Sequence, residues 1–165
     1  MSQVANSCSI SKANIYHYYD SKDALLFDIL DSYLSALRDR IHGLPMEGLT
    51  PSEQLRLIVT ETLHAYEGMD DEHKIQTGGL PMLPKLQQDI LKGYQRDLVN
   101  QMSGVIATIA PDVFASDAGK LRSTVMSVFG MLNWFYMWNG NADDQARRDY
   151  ADLVTGLTMK GVQGV

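Results

Sequence analysis

Near the start of the chain, Ser11, Lys12, Asn14, Tyr16, His17, Tyr18 and Lys22 bring short hydrogen-bonding groups, cations, phenols and an imidazole into one stretch. That mixture suits nucleic acid. Ser11, Lys12 and Asn14 would stand at the N-terminal end of a short helix, where side chains reach base edges, while Tyr16, His17 and Tyr18 offer polar groups to phosphates. Lys22 adds a cation beside the start of the next helix, a place that already favours anions. For these side chains to act together, the surrounding chain must form a helix-turn-helix. The expected parts are a short helix with apolar steps from Val4, a tight turn at Ser9, a second helix opening at Ser11 and a polar start to a long helix at Asp20-Ser21-Lys22. Spacing alone leaves another reading open, with Tyr16 and Tyr19 in a small core and Lys12 and Lys22 solvated.

The elements that follow read as helices. From Ser21, the residues Leu25, Leu26, Ile29, Leu30, Tyr33, Leu34, Leu37 and Ile41 recur at three- and four-residue steps, predicting a long amphipathic helix stopped by His42-Gly43-Leu44-Pro45. Thr50-Pro51-Ser52-Glu53 supplies a cap, a proline at the first helical position and a glutamate able to reach back, so a helix should run to about Tyr66. Gly68 to Pro84, with Asp70, Asp71, Glu72, Gly78 and Gly79, reads as a bent connector holding at most one short helix, and His73 as a solvated turn residue. Leu86, Ile90, Leu91, Tyr94, Leu98, Met102, Val105, Ile106 and Ile109 form the next stripe, ending at Ala110-Pro111-Asp112. A helix from near Ser116 to Gly140 should bury Leu121, Val125, Val128, Phe129, Leu132, Phe135 and Tyr136. The last, from about Ala142, sets Tyr150, Leu153, Val154 and Leu157 on one face, with Gly156 and Gly161 permitting close approach. Strand signals are nearly absent, so the expected fold class is all-α.

Bulk properties narrow the function. With 14 basic and 20 acidic residues the net charge is -6, so any DNA contact must be local rather than spread over the surface. Cys8 is the only cysteine, which rules out an intramolecular disulfide, and the opening residues lack a secretory pattern, pointing to the cytoplasm. The apolar run from Val125 to Trp138 is broken by Ser127, Gly130 and Asn133 and falls short of the ~20 residues a membrane span needs. The histidines His17, His42, His64 and His73 show no paired ligand spacing, and no glycine-rich phosphate loop or nucleophile elbow occurs, so neither a metal site nor an enzyme is expected. No cofactor is implied.

The stretch Ile10-Ser11-Lys12, Tyr16-His17-Tyr18-Tyr19 and Ser21-Lys22 resembles the TetR family of transcriptional regulators over roughly the first 40 residues. There a valine-serine-lysine opening, a tyrosine-x-histidine-phenylalanine-like close and a serine-lysine helix start mark the DNA-binding head. Two departures stand out. The turn position usually held by glycine is Ser9, at a cost of about 1 kcal/mol if a left-handed conformation is required. The family's first helix would need about 25 to 30 residues more than precede Val4, so the head is expected to be incomplete and to bind DNA weakly unless that helix exists upstream.

A second resemblance lies in Asn133-Trp134, Tyr136 and Trp138, similar to TetR-type regulators of fatty-acid, steroid and phenylacetate breakdown that sense acyl-coenzyme A thioesters. It implies a ligand site including Arg96, Met102, Met126, Phe129, Asn133 and Trp134, with Lys85, Lys92 and Arg96 available to coenzyme A phosphates. Trp134 and Trp138 also fit a core or a subunit interface. The organisation implied is an incomplete head plus linking helix over residues 1–42 and a ligand-binding and dimerisation domain over 43–165. The implied function is a homodimeric repressor that binds operator DNA and is released by a small hydrophobic or acyl- or aryl-coenzyme A effector, phenylacetyl-coenzyme A being the preferred candidate. A dimeric small-molecule-binding protein without DNA activity is the alternative.

Overall fold

In the computed structural model, which describes residues 1–162, nine α-helices and one 3-10 turn follow one another. They are α1 (Ser2–Ser7), α2 (Lys12–Tyr18), α3 (Lys22–His42), α4 (Pro51–Ala65), α5 (Asp70–Gly79), the 3-10 turn Leu80–Met82, α6 (Lys85–Ile109), α7 (Pro111–Phe114), α8 (Ala118–Trp138) and α9 (Asp144–Val162). The fold is all-α, a small helix-turn-helix head joined by a long helix to a larger helical body. Residues 163–165 at the end of the expected body domain lie outside the described residues.

Local chemistry sets most of these boundaries. The Ser11, Ser21 and Asp117 side chains accept the backbone N–H groups of Asn14, Ala24 and Lys120, at 3.0, 3.0 and 2.8 Å. Thr50 and Glu53 make the full reciprocal box that starts α4, with the Thr50 N–H donating to Glu53 Oε2 at 2.8 Å. Helix α1 ends in a Schellman arrangement: the Ile10 N–H donates to the Ala5 carbonyl and the Ser9 N–H to that of Asn6. That ending places Ser9 at φ 55, the left-handed region expected at this turn.

Packing centres on α4. Leu55, Ile58, Val59 and Leu63 are buried among α3, α6, α8 and α9, in one core with Leu37, Ile41, Met102, Ile106, Val125, Leu132 and Val154. A second core of Leu30, Tyr33, Leu34, Leu80, Leu83 and Leu91 joins α3 to the start of α6. Arg147, itself buried, donates from Nη1 to the Leu63 carbonyl at 2.9 Å, placing a cation at the negative end of α4.

Several expected faces turn out differently. The connector holds one short helix, within what its composition allowed: Asp70, Asp71 and Glu72 sit in the first turn of the ten-residue α5, where carboxylates favour the helix dipole, and Gly78-Gly79 lie at its end. Its register carries His73 inward, so the reading of His73 as a solvated turn residue is overturned. The stripes of α6 and α9 also divide: Leu86 and Ile90 are exposed, as are Leu153 and Leu157, while Leu91 and Val154 are buried. Leu25, Leu26 and Ile29 are only half-buried. A side chain's three- or four-residue step fixes its azimuth only within tens of degrees, and the neighbouring helices decide which flank of the stripe is covered.

Candidate functional site

The head presents its candidate residues to solvent. Ser11, Lys12, Asn14, Tyr16, His17, Tyr18 and Lys22 are all exposed, whereas Ile15 on the opposite side of α2 is buried with Ala5 of α1. Lys12, Tyr16 and Lys22 share one open groove with Met1, Ser2, Asp20, Ser21 and Asp23. Lys12 lies over the Tyr16 ring at 5.6 Å from its centre, and the His17 and Tyr18 rings meet edge-on at 5.0 Å. The Tyr19 hydroxyl donates to Asp28 Oδ2 at 2.6 Å, tying the end of α2 to the linking helix α3.

The body contains a cavity of about 450 Å³ between α3, α5, α6 and α8. Its innermost residues, Leu34, Leu37, Tyr66, His73, Leu98 and Phe129, are each at most 9% exposed. Toward solvent lie Arg96, Asn100, Arg122 and Met126, with Lys92 half-buried. Along α8 the lining residues Arg122, Met126, Phe129 and Asn133 follow four-, three- and four-residue steps, one helical face reading from cation to amide. Three cations therefore flank an apolar and aromatic interior.

The buried end is a polar network. The Tyr66 hydroxyl donates to Asn133 Oδ1 at 2.8 Å, and the Tyr33 hydroxyl meets His73 Nδ1 at 2.7 Å. Around His73 stand the rings of Tyr66, Tyr136 and Tyr33, edge-on at 4.5, 5.5 and 6.1 Å between centres. Burial pushes both the Tyr33 and Tyr66 hydroxyls well above the ordinary phenol range, so they remain protonated and can donate. Burial also lowers the His73 imidazole below its usual value, with Asn133 and the Asp70 charge pulling the other way. A neutral ring with Nδ1 accepting from Tyr33 follows from these two directions.

Of the residues nominated from sequence for a ligand, the structure brings Lys92, Arg96, Met126, Phe129 and Asn133 to this cavity, while Lys85 lies outside its lining and pairs with Asp89. It places Met102 in the body core, fully buried, and Trp134 on the outer face of α8, 62% exposed beside Met137 and Trp138. Sequence reasoning missed Arg122, which stands one turn before Met126 and could have been found by extending that stripe backward. It also missed Tyr66, His73, Gln76 and Gln95, which reach the cavity from separate helices and leave no local signal. A second hollow of about 500 Å³ shares Leu37 and is lined by Asp28, Ser32, Tyr33, Arg40, Met69 and Glu72 among others. Among the described residues, no helix is long and apolar enough to cross a membrane.

A helix-turn-helix head on a helical body with a solvent-open cavity defines a class, the ligand-responsive transcriptional regulators. Residues 48–163 match the family described as "Tetracyclin repressor-like, C-terminal domain", and residues 1–29 match "Bacterial regulatory proteins, tetR family". The chain belongs to the TetR family, a family of regulators rather than enzymes. Among solved structures, it is similar to a TetR-family transcriptional regulator from Bordetella parapertussis, at 28% identity and TM-score 0.84, over 98% of this chain and 84% of that one. AibR in complex with isovaleryl coenzyme A and operator DNA shares the fold at 19% identity and TM-score 0.74, over 94% and 84% of the two chains. FadR from Bacillus subtilis in complex with stearoyl-CoA does so at 17% identity and TM-score 0.67, over 97% and 87%. No curated protein matches the chain.

Proposed function

We propose that the chain acts as a homodimeric repressor, with residues 1–42 forming the DNA-reading head and linking helix and the remainder holding an acyl- or aryl-coenzyme A effector. One observation carries the ligand assignment: Lys92, Arg96 and Arg122 flank a cavity whose interior is apolar and aromatic. An acyl group fits the interior and the coenzyme's phosphates fit the cations. Burying a phenyl or medium acyl group contributes about 2 to 3 kcal/mol, and each charge-assisted phosphate contact about 1.5 to 3 kcal/mol before ordering costs. Two proteins of this fold are named with coenzyme A thioesters bound, one of them also with operator DNA, which supports the same reading.

Ser11, Lys12 and Asn14 would read base edges, and Tyr16, His17, Tyr18 and Lys22 would hold phosphates. The pairing surface would be the outer face of α8 and α9, where Trp134, Met137, Trp138, Leu153 and Leu157 are exposed and Gly156 has open space around it. Release follows if ligand favours a spacing of the two heads that no longer fits half-sites ~34 Å apart. Calorimetry with phenylacetyl-coenzyme A and medium-chain acyl thioesters tests the ligand assignment. Thioesters should bind at least about tenfold tighter than the matching free acids, the equivalent of one phosphate contact. Equal affinity would mean that the cations do not read the coenzyme, and no binding by any thioester would remove the assignment.

A further inference from the structure

The apolar and aromatic interior of the cavity is interrupted by hydrogen-bonding groups that a plain hydrocarbon chain would not serve. Three half-buried carboxamides, Gln76 of α5, Gln95 of α6 and Asn133 of α8, line it alongside the Tyr66 hydroxyl and the His73 ring. Asn133 Oδ1 is already taken by Tyr66, which orients the amide and leaves its Nδ2 protons without a protein acceptor among the described residues. The Gln76 and Gln95 amides likewise have no protein hydrogen-bond partner among the described residues. Where water reaches these groups it can serve all three. A saturated chain filling the same space would remove that water and return no acceptor, which penalises every donor it covers. An oxygen on the chain would take the place of the water, and a site that hydrogen-bonds a ligand group discriminates strongly against the analogue lacking it.

We infer that the acyl portion of the effector carries an oxygen function, a hydroxyl or ketone, held by the Asn133 amide with Gln76 or Gln95 beside it. The inference rests on the coenzyme A thioester reading above and narrows it to oxygenated acyl groups. Asn133 lies about three turns along α8 from Arg122, or ~16 Å at the rise of an α-helix. The phosphate-binding end and the oxygen-binding end are thus held apart by one rigid element, so the length of the ligand between them is measured.

The test is calorimetry on the purified full chain with hexanoyl-coenzyme A and its β-hydroxy, β-oxo and ω-hydroxy counterparts. At least one oxygenated thioester should bind about tenfold or more tighter than hexanoyl-coenzyme A. In the double variant Asn133→Leu, Tyr66→Phe, which removes the amide without stranding the phenol, that preference should fall to about twofold or less while hexanoyl-coenzyme A binds as well as before or better. Hexanoyl-coenzyme A binding as tightly as every oxygenated form would overturn this inference and leave the thioester reading intact. Failure of all four thioesters while phenylacetyl-coenzyme A binds would overturn this inference alone, and failure of phenylacetyl-coenzyme A as well would overturn the thioester reading with it. A preference that survives unchanged in the folded double variant would also overturn the assignment to Asn133.

Discussion

The two ends of α3 stand in different surroundings. From Lys22 to Ile29 no side chain of the helix is fully buried, and the neighbouring head helices contribute only Ala5 and Ile15 to the core. From Leu30 onward, Leu30, Tyr33, Leu34, Leu37 and Ile41 are all buried against α4, the 3-10 turn and α6. The head is therefore shaped mainly by caps, a Schellman ending and the Tyr19–Asp28 hydrogen bond, whereas the body is shaped by packing. One helix belongs to both. A displacement of α3 within the body would therefore carry its Lys22 end with it.

The largest test of that contrast is deletion of body core. Leu63→Ala should destabilise the chain by about 3 to 5 kcal/mol in urea unfolding, because α4 is enclosed by four helices that cannot collapse into the cavity. Ile15→Ala should leave the body's transition in place. A single transition lowered equally by both changes would show head and body to be one cooperative unit and break the contrast.

Next comes the Tyr33–His73 pair, which joins α3 to the ligand cavity. Tyr33→Phe leaves a buried imidazole nitrogen without its donor and should cost about 1 to 3 kcal/mol by the same measurement. The pair also predicts a pH dependence. His73 has a folded-state value depressed below the ordinary imidazole value of 6.5, so above that pH neither state is charged and its contribution to stability is fully present. As pH falls below 6.5, the unfolded state takes up a proton that the folded state resists, and stability is lost until the folded value is passed. His73→Gln should flatten the stability profile in that window, and an unchanged profile would count against a neutral buried ring.

A change of similar size is expected at the proposed pairing face. Among the described residues nothing lies within 4 Å of a Cβ at Gly156, so Gly156→Leu should preserve the monomer fold while weakening self-association by about 1 to 3 kcal/mol through overpacking. Sedimentation equilibrium checks both the dimer and its loss. The smallest effect belongs to the head: Ser9→Gly relieves a left-handed backbone at φ 55 and should raise head stability by about 1 kcal/mol, read as slower hydrogen exchange in α1 and α2.

The parts legible in the sequence were those decided within a few residues. Thr50 caps α4 as its type and spacing suggested, helices open after Ser11 and Ser21 as expected, Ser9 takes the left-handed turn, and the long helices begin and end within a few residues of their expected limits. What escaped was decided by neighbours distant in sequence. His73 turns inward because Tyr33, Tyr66 and Tyr136 surround it, and Leu153 and Leu157 face outward because Ala151 and Val154 occupy the side against α4. The ligand cavity divides in the same way. Met126, Phe129 and Asn133 share a helical face that periodicity can trace, whereas Tyr66, His73, Gln76 and Gln95 converge only when α5 folds over α3.

On the proposed function, the cavity between α3, α5, α6 and α8 is where a thioester would be sensed. A crystal structure of the chain soaked with the tightest-binding coenzyme A thioester tests it most directly. The acyl group should lie beside Phe129 and Asn133, with the coenzyme's phosphates within hydrogen-bond distance of Lys92, Arg96 or Arg122. An acyl group lodged instead in the neighbouring hollow lined by Asp28, Ser32 and Glu72, or phosphates turned away from all three cations, would contradict it.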